Sequence, residues 1–377
     1  MTKKIPPAPK EIIPNYPKMA DKRLEQLRFT MEDFKVDAVV VTYLPNIRYL
    51  TNFSGSAATL FILPNDLIFV TDDRYEEQIK TELYQLPNMK TYISRDVWKL
   101  VNDKKLLKHV PSLGFEADRL PYSVAVDIRN KIRPIKFKPA ASGIEPFTIP
   151  KAPEELACIQ QACNIALDTF DFVLGFISPG FTEKEIANEI AYKTRQLGSE
   201  NDPFDILVVS GPRCGLVHGA PSDRLIKKND IVIMDFGARY KGFVSDITRT
   251  VCVGKPTKEQ KELYKLLLSA QTAAVNTVRP GINGKTLDKS ARSIIEKAGF
   301  GPYFQHSLGH GLGIEVHEMP TITFRMDDQI VPEDAVIAIE PGCYFPDKYG
   351  IRVEDNIHVT RNGGKYLTKS PDELISV

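Results

Sequence analysis

No stretch of this sequence is apolar for the roughly 20 residues that a membrane-spanning helix needs. The opening segment, MTKKIPPAPKEIIPNYPK, lacks the apolar centre of a secretion signal and reads as a Pro- and Lys-rich lead-in over residues 1–19. Charge of one sign is also missing: 49 Lys and Arg stand against 48 Asp and Glu, a formal charge of +1. That balance gives no electrostatic case for nucleic acid or an anionic membrane as partner. Cysteine is sparse and odd in number, with five residues and no C-x-x-C pair. A disulfide framework and a thiolate zinc site are therefore not expected, and a reducing cytoplasm is the expected location. Any metal here would be held by oxygen and nitrogen.

What remains is ordinary globular composition, 42% hydrophobic and 26% charged over 377 residues, enough for two domains with full cores. Residues 20–138 alternate helical and short apolar segments: a helix from Lys22, then strands at Asp37–Val41, Leu60–Leu63 and Leu67–Thr71. This is the pattern of an α/β domain. The segment Lys138–Glu155, rich in Pro and small residues, has no periodicity, and it places the boundary near residue 148. The expected domains are 1–148 and 149–377.

The second domain repeats itself. A long helix from Pro153 stops at Ser178-Pro179-Gly180, and the Thr182/Glu185 capping box opens another. A hundred residues on, the Thr257/Gln260 capping box opens a long helix that stops at Arg279-Pro280-Gly281, and a second follows to about Lys297. The echo continues in the strands. LVHGAPS (from Leu216) answers EVHEMPT (from Glu315), NDIVIMDFG (from Asn229) answers EDAVIAIEPG (from Glu333), and GFVSDITRTV (from Gly242) answers GIRVEDNIHV (from Gly350). Two such halves facing each other would bury their shared polar residues at the seam.

Those polar residues are acids in the wrong place. Two continuously apolar strands end in Asp235 and Glu340, and the returning strands carry Asp246 and Glu354. Singly, each is readily explained as a turn cap or as the partner of Arg239, Arg249 or Arg352. Buried together they would repel, because a desolvated carboxylate is costly unless paired or bound to a cation. A pair of divalent metals between them resolves the conflict. FQHSLGHGLGIEVHE, from Phe304, adds His306, His310 and His317. The repeat pairs His317 with His218. Of the other two, His310 is favoured as a ligand because Gly309 and Gly311 permit close backbone approach, although spacing alone leaves His306 open.

The set Asp235, Asp246, His310, Glu340 and Glu354, in the motifs MDFG, SDITRT, HSLGHGLGIEVHE, IEPGCY and IRVEDN, resembles the metal centre of the pita-bread metallopeptidases. That family includes methionine aminopeptidase, Xaa-Pro aminopeptidase and prolidase. NIRYLTNFSGS and TDDRYEEQ are similar to the creatinase/prolidase N-terminal domain, which narrows the resemblance to the proline-directed branch. It implies an α/β N-terminal domain followed by an α+β pita-bread catalytic domain with an internal pseudo-two-fold repeat. Asp235 would then hold one metal, His310 and Glu340 the other, and Asp246 and Glu354 would bridge them. Glu340 would act as general base or proton shuttle. His218 and His317 would contact substrate and stabilise the oxyanion, and His306 would line the proline side. Arg352 with Tyr344 would orient a bridging carboxylate, and Thr248 would do so for Asp246. Arg213 and Cys214 depart from the small or polar residues usual at those places.

The implied activity is a dinuclear-metal Xaa-Pro aminopeptidase acting on proline-containing peptides. Prolidase is the alternative, and a metal-free hydrolase or binding module of the same fold is the remoter one. Two Mn²⁺ ions suit a hard carboxylate site, with Co²⁺ or Zn²⁺ able to substitute. A homodimer is implied. His109 and His358 match no motif and are read as structural, and Cys343 as a packing residue.

Overall fold

The computed structural model describes residues 16–140 and 143–377, so most of the expected lead-in, residues 1–19, lies outside the described residues. The chain divides into two compact units, Met1–Phe147 and Thr148–Val377. In the first unit the opening helix runs from Tyr16 to Phe34, six residues earlier than the apolar pattern indicates. A six-stranded sheet follows, built from β1 (Ala38–Val41), β2 (Ala58–Ile62), β3 (Leu67–Thr71), β4 (Met89–Ile93), β5 (Ser112–Phe115) and β6 (Lys136–Pro139). Its order is β4-β3-β2-β1-β5-β6, antiparallel across β1–β2–β3 and parallel elsewhere. Val40, Phe61, Val70 and Leu113 from this sheet pack with Val101 and Ile128 from two helices in one core.

The second unit is the repeat seen in the sequence. Its first half contributes helices Pro153–Val173 and Glu183–Gln196, and strands β7 (Leu207–Ser210), β8 (Ile231–Phe236), β9 (Arg239–Tyr240), β10 (Phe243–Val244) and β11 (Ile247–Cys252). Helices Lys258–Thr277 and Gly284–Lys297 belong to the second half. Its strands are β12 (Ile282–Asn283), β13 (Gly309–Gly311), β14 (Glu318–Ile322), β15 (Ile330–Val331), β16 (Val336–Ile339), β17 (Gly342–Phe345), β18 (Tyr349–Arg352), β19 (Asp355–Thr360) and β20 (Gly363–Tyr366). Strand β21 (Ile375–Ser376) returns to pair with β11. The main sheets run β21-β11-β8-β7 and β14-β13-β16-β19-β20.

Both capping boxes form. Thr182 Oγ1 accepts from the Glu185 amide at 3.1 Å, and Thr257 Oγ1 from the Gln260 amide at 3.2 Å. Each such cap contributes about 1 kcal/mol to its helix. The apolar run in β8 is continuous because both of its faces are covered. Val232 and Met234 pack with Phe170 and Ile186 of the first helix pair, whereas Ile231 and Ile233 pack with Leu267 and Leu287 of the second. Asp235 continues the face of Ile231 and Ile233, since strand side chains alternate. The fold therefore carries that carboxylate to the seam between the halves.

Candidate metal centre

His310 lies on β13, between β14 and β16, and not on a helix. A Cβ on Gly309 would stand 1.9 Å from the Ala338 carbonyl oxygen, and one on Gly311 2.2 Å from that of Met319. The flanking glycines are thus required by the close approach of both neighbouring strands. The Nδ1–H of the neutral His310 ring donates to the Gly311 carbonyl at 3.0 Å. This leaves Nε2 unprotonated and aimed at Asp246 Oδ2, 3.6 Å away, and Glu340 Oε1, 3.9 Å away. Fixing one ring nitrogen on a carbonyl so that the other faces a cluster of acids is the usual preparation of a metal-binding imidazole.

The carboxylates converge as the repeat requires. Asp246 and Glu354 are buried at the starts of β11 and β19, and Asp235 and Glu340 are half-buried. Ligand atoms of Asp246, His310 and Glu354 all lie within 4.8 Å of one another. The two halves are not identical in register. Asp235 lies inside its ladder opposite Thr248, whereas Glu340 falls just past the last pair, Ile339 with Asp355.

The electrostatics fit a cation. Burial, then the neighbouring carboxylates Glu354, Asp235 and Glu340, hold Asp246 well above the ordinary carboxyl range. Burial and Glu354 do the same for Glu340, and burial and Asp235 push Glu354 up to about 8. Burial, helped by His317, pushes His310 down to about 4, so this imidazole keeps a free lone pair at neutral pH. Asp235 Oδ1 and Asp246 Oδ1 are buried without a hydrogen-bond partner among the described residues. Buried acceptors left in that state are costly unless something positive meets them. Two divalent ions would supply that charge, and the oxygen-rich donor set with one imidazole suits hard cations.

Around this cluster Arg352 is the organiser. It is 2% exposed and donates from Nη2 to Asp235 Oδ2 at 2.5 Å, from Nε to Thr248 Oγ1 at 2.8 Å, and from Nη1 to the Tyr344 hydroxyl at 2.9 Å. The Thr248 hydroxyl then donates to Glu354 Oε2 at 2.6 Å. Thr248 serves Glu354, where the resemblance implied Asp246, and Arg352 bonds Asp235 directly and reaches Glu354 through Thr248. In the ladder Thr248 stands opposite Asp235, so one guanidinium can bond both.

Because it relays one hydrogen bond into another, Thr248 has a testable role. Thr248→Val keeps the shape and loses the hydroxyl, so metal affinity should fall by about 10- to 100-fold, the usual cost of losing a ligand's orienting partner. Titration of metal-free protein measures it, and unchanged affinity would show that Glu354 is oriented by other means.

The histidines surround the acids. The His317 ring is 4.3 Å from the His310 ring, centroid to centroid. His306 Nε2 meets the Tyr344 hydroxyl at 2.9 Å, and its Nδ1 meets the Ser307 carbonyl at 2.8 Å. Burial foremost pushes His306 down to about 3, and His218 is close enough to disfavour protonation of both His306 and His317. His358 lies apart, with Nε2 3.0 Å from Asp334 Oδ1, and His109 is an exposed residue of the first unit. Cys343 is fully buried and its thiol is pushed up to about 12 by desolvation, which leaves it no nucleophilic role.

Asn356 went unnoticed in the sequence. Its side chain accepts from the Asp246 amide at 3.1 Å and donates to the Asp246 carbonyl at 2.5 Å, fixing the backbone that presents this ligand. Its only signal was its place in IRVEDN, two residues after Glu354. The buried Arg249–Asp355 pair, at 2.9 Å, supports the same turn, with Arg249 Nη1 donating to the Glu354 carbonyl at 2.6 Å.

Residues 157–361 match the metallopeptidase family M24, and residues 23–147 match the creatinase/prolidase N-terminal domain. The chain belongs to this metallopeptidase family. Among its relatives, a Xaa-Pro dipeptidase of Pyrococcus horikoshii is 37% identical over 346 residues, 92% of this chain and 96% of that one. The solved structure of a Xaa-Pro dipeptidase from Bacillus anthracis aligns with a TM-score of 0.89 at 36% identity, covering 95% of this chain and 100% of that one. An X-Pro aminopeptidase from Thermotoga maritima aligns with a TM-score of 0.87 at 33% identity, covering 94% and 99%. The family and the two-part fold expected from the motifs are thus borne out.

Proposed function

We propose that this metallopeptidase is a Xaa-Pro dipeptidase, hydrolysing the bond between a first residue and a following proline. The observation that carries the chemistry is the convergence of Asp235, Asp246, His310, Glu340 and Glu354 at one seam. The relatives favour the dipeptidase over the aminopeptidase that the motif wording favoured, since most of the informative names among them are Xaa-Pro dipeptidase or prolidase. The Thermotoga structure supports the aminopeptidase as second reading.

Asp235, Asp246, His310, Glu340 and Glu354 would hold two divalent ions. When bound, such ions supply Lewis-acid polarisation and a nucleophile at neutral pH. The protein's own groups do the rest. A Glu340 carboxylate oxygen takes the proton that the attacking water gives up and returns it to the departing proline nitrogen. His317 and His218 donate to the carbonyl oxygen as charge develops on it. His306 is held by Tyr344 and lines the proline side. Proline has no N–H to offer and a fixed φ, so its pocket must recognise shape and the absence of a donor.

The hard donor set supports Mn²⁺ as the native metal. Five buried cysteines, none of them in a disulfide, support a cytoplasmic location. No helix among the described residues is long and apolar enough to cross a membrane. A homodimer completes the reading.

Protein stripped of metal and reconstituted with Mn²⁺ should cleave Xaa-Pro dipeptides and leave Xaa-Pro-Xaa tripeptides largely intact. Preferred cleavage of tripeptides would replace this reading with the aminopeptidase. Failure to bind Mn²⁺, Co²⁺ or Zn²⁺ would remove both.

A further inference from the structure

Among the fully buried acids outside the metal cluster, the second helix of each half carries one: Glu183 in Glu183–Gln196 and Asp288 in Gly284–Lys297. They lie 105 residues apart, as do Asp235 and Glu340. Acids are almost never fully buried unless their hydrogen-bonding capacity is met. The donors to Glu183 come from the segment that carries His218, and those to Asp288 from Arg292 of the same helix and from Leu308 in the segment that carries His306.

Glu183 accepts five hydrogen bonds. Ser210 gives two to Oε1, from its amide at 2.7 Å and its hydroxyl at 2.8 Å. On Oε2, Ser222 gives its amide at 3.0 Å and its hydroxyl at 2.7 Å, and Arg213 gives Nε at 2.9 Å. Ser210 ends β7, and Ser222 closes the loop that follows. One carboxylate thus ties together both ends of the loop that holds His218. Arg213 adds a tie within it, from Nη2 to the Ala220 carbonyl at 2.6 Å. The loop also leaves β7 through Gly211 at φ +53, a left-handed turn that favours glycine. The helix does not depend on Glu183 for its start, because the Thr182/Glu185 box already caps it.

In the second half, Asp288 accepts Nε and Nη2 of Arg292 at 2.6 and 3.0 Å, and the Leu308 amide at 3.0 Å. Arg292 passes the hold on, donating to the carbonyls of Phe304 at 3.0 Å and His306 at 2.7 Å. The segment bearing His306 is therefore fixed from the corresponding helix of the second half, although Glu183 is the first residue of its helix and Asp288 the fifth.

We propose that Glu183 with Arg213, and Asp288 with Arg292, are paired positioning residues that hold His218 and His306 against the substrate. The proposal rests on the reading that those two histidines face it. It also gives Arg213, a departure from the family's usual residue, a place in the loop rather than in a substrate contact.

The test is a double-mutant cycle with metal content measured alongside. Glu183→Gln puts an amide N–H₂ where only an acceptor fits. It should lower kcat/KM for an Xaa-Pro substrate by about 10- to 100-fold, as losing an orienting partner does, with bound Mn²⁺ unchanged. In a His218→Ala background the same change should cost less than about 2-fold, because coupled residues do not add. Arg213→Met, at a partly exposed side chain, is the milder variant for the case that Glu183→Gln fails to fold, and it should show the same loss of effect. Asp288→Asn with His306→Ala repeats the cycle in the other half. Equal costs in both backgrounds, or activity falling only in step with lost metal, would overturn the proposal. Hydrogen exchange of metal-free protein gives an independent reading: Glu183→Gln should speed exchange in residues 211–222 and nowhere else, and uniform acceleration would count against it. If the wild type cleaves no Xaa-Pro peptide the functional reading fails, while the exchange result still decides the clamp.

Discussion

Asp246→Ala should lower kcat/KM of the metal-supplemented protein by at least about 10³-fold, the upper range for removal of one electrostatic contact to a transition state. Bound metal should fall with it. Asp246 is 5% exposed, its Oδ2 faces His310 Nε2 at 3.6 Å, and its Oδ1 has no partner among the described residues. Asn356 clamps its backbone from both sides, so the carboxylate cannot drift to find another donor. The same crowding predicts an opposite effect on the metal-free protein. There, Asp246 meets Glu354, Asp235 and Glu340 in a desolvated site, and each holds the others away from ionisation. The near-isosteric Asp246→Asn removes one ionisable carboxyl without opening a cavity. It should stabilise the metal-free protein at neutral pH, because the carboxyl ionises readily only in the unfolded chain and folding works against that ionisation. With metal present the order should reverse, since the wild type alone gains full binding energy on the folded state. Calorimetry with and without chelator, beside elemental analysis, reads both signs. Wild-type metal content in Asp246→Ala would remove Asp246 from the ligand set.

Arg352→Met should cost about 3–5 kcal/mol of stability, as removing one partner of a buried ion pair does. It should also cost about 10- to 100-fold in metal affinity through the loss of an orienting partner. Arg352 gives Asp235, Thr248, Tyr344 and the Val217 carbonyl a shared donor. Its loss would strand the Asp235 carboxylate and leave Thr248 free to turn from Glu354. It would also release Tyr344 from one side, and with it His306. Arg352→Lys should rescue little, because one ammonium cannot reach acceptors spread around a planar guanidinium. Urea denaturation and metal titration check the two halves of the prediction. A lysine variant with wild-type affinity would show that charge alone, without the fork, is sufficient.

These two residues also mark how far the linear chain can be read. Asp246 was recognisable because an acid on an apolar returning strand conflicts with burial, and because Glu354 repeats it in the second half. Arg352 was recognisable as a supporting residue, but its partner was not. The carboxylate it holds lies 117 residues away, the Thr248–Glu354 contact spans 106, and the Asn356–Asp246 clamp spans 110. Contacts of that range depend on strand register. The register offset between Asp235, inside its ladder, and Glu340, past the end of its own, has no trace in the aligned motifs.

The local signals were strong where local physics decides. Capping boxes at Thr182 and Thr257 start helices through hydrogen bonds within four residues. The apolar runs before Asp235 and Glu340 declare strands buried on both faces, and their duplication declares two halves with a polar seam. Glycines beside His310 announced a close approach, but only the paired strands reveal what approaches: the carbonyls of Ala338 and Met319. Nothing in the local sequence distinguishes Glu183 or Asp288 from other helix acids, since a short window cannot show burial. Ser210, Ser222 and Leu308 reach them from segments folded back across the helices, and that closure exists only in three dimensions. Residue chemistry and periodicity thus specified the halves and the metal-seeking acids, whereas long-range register decided which arginine, threonine or serine holds each one in place.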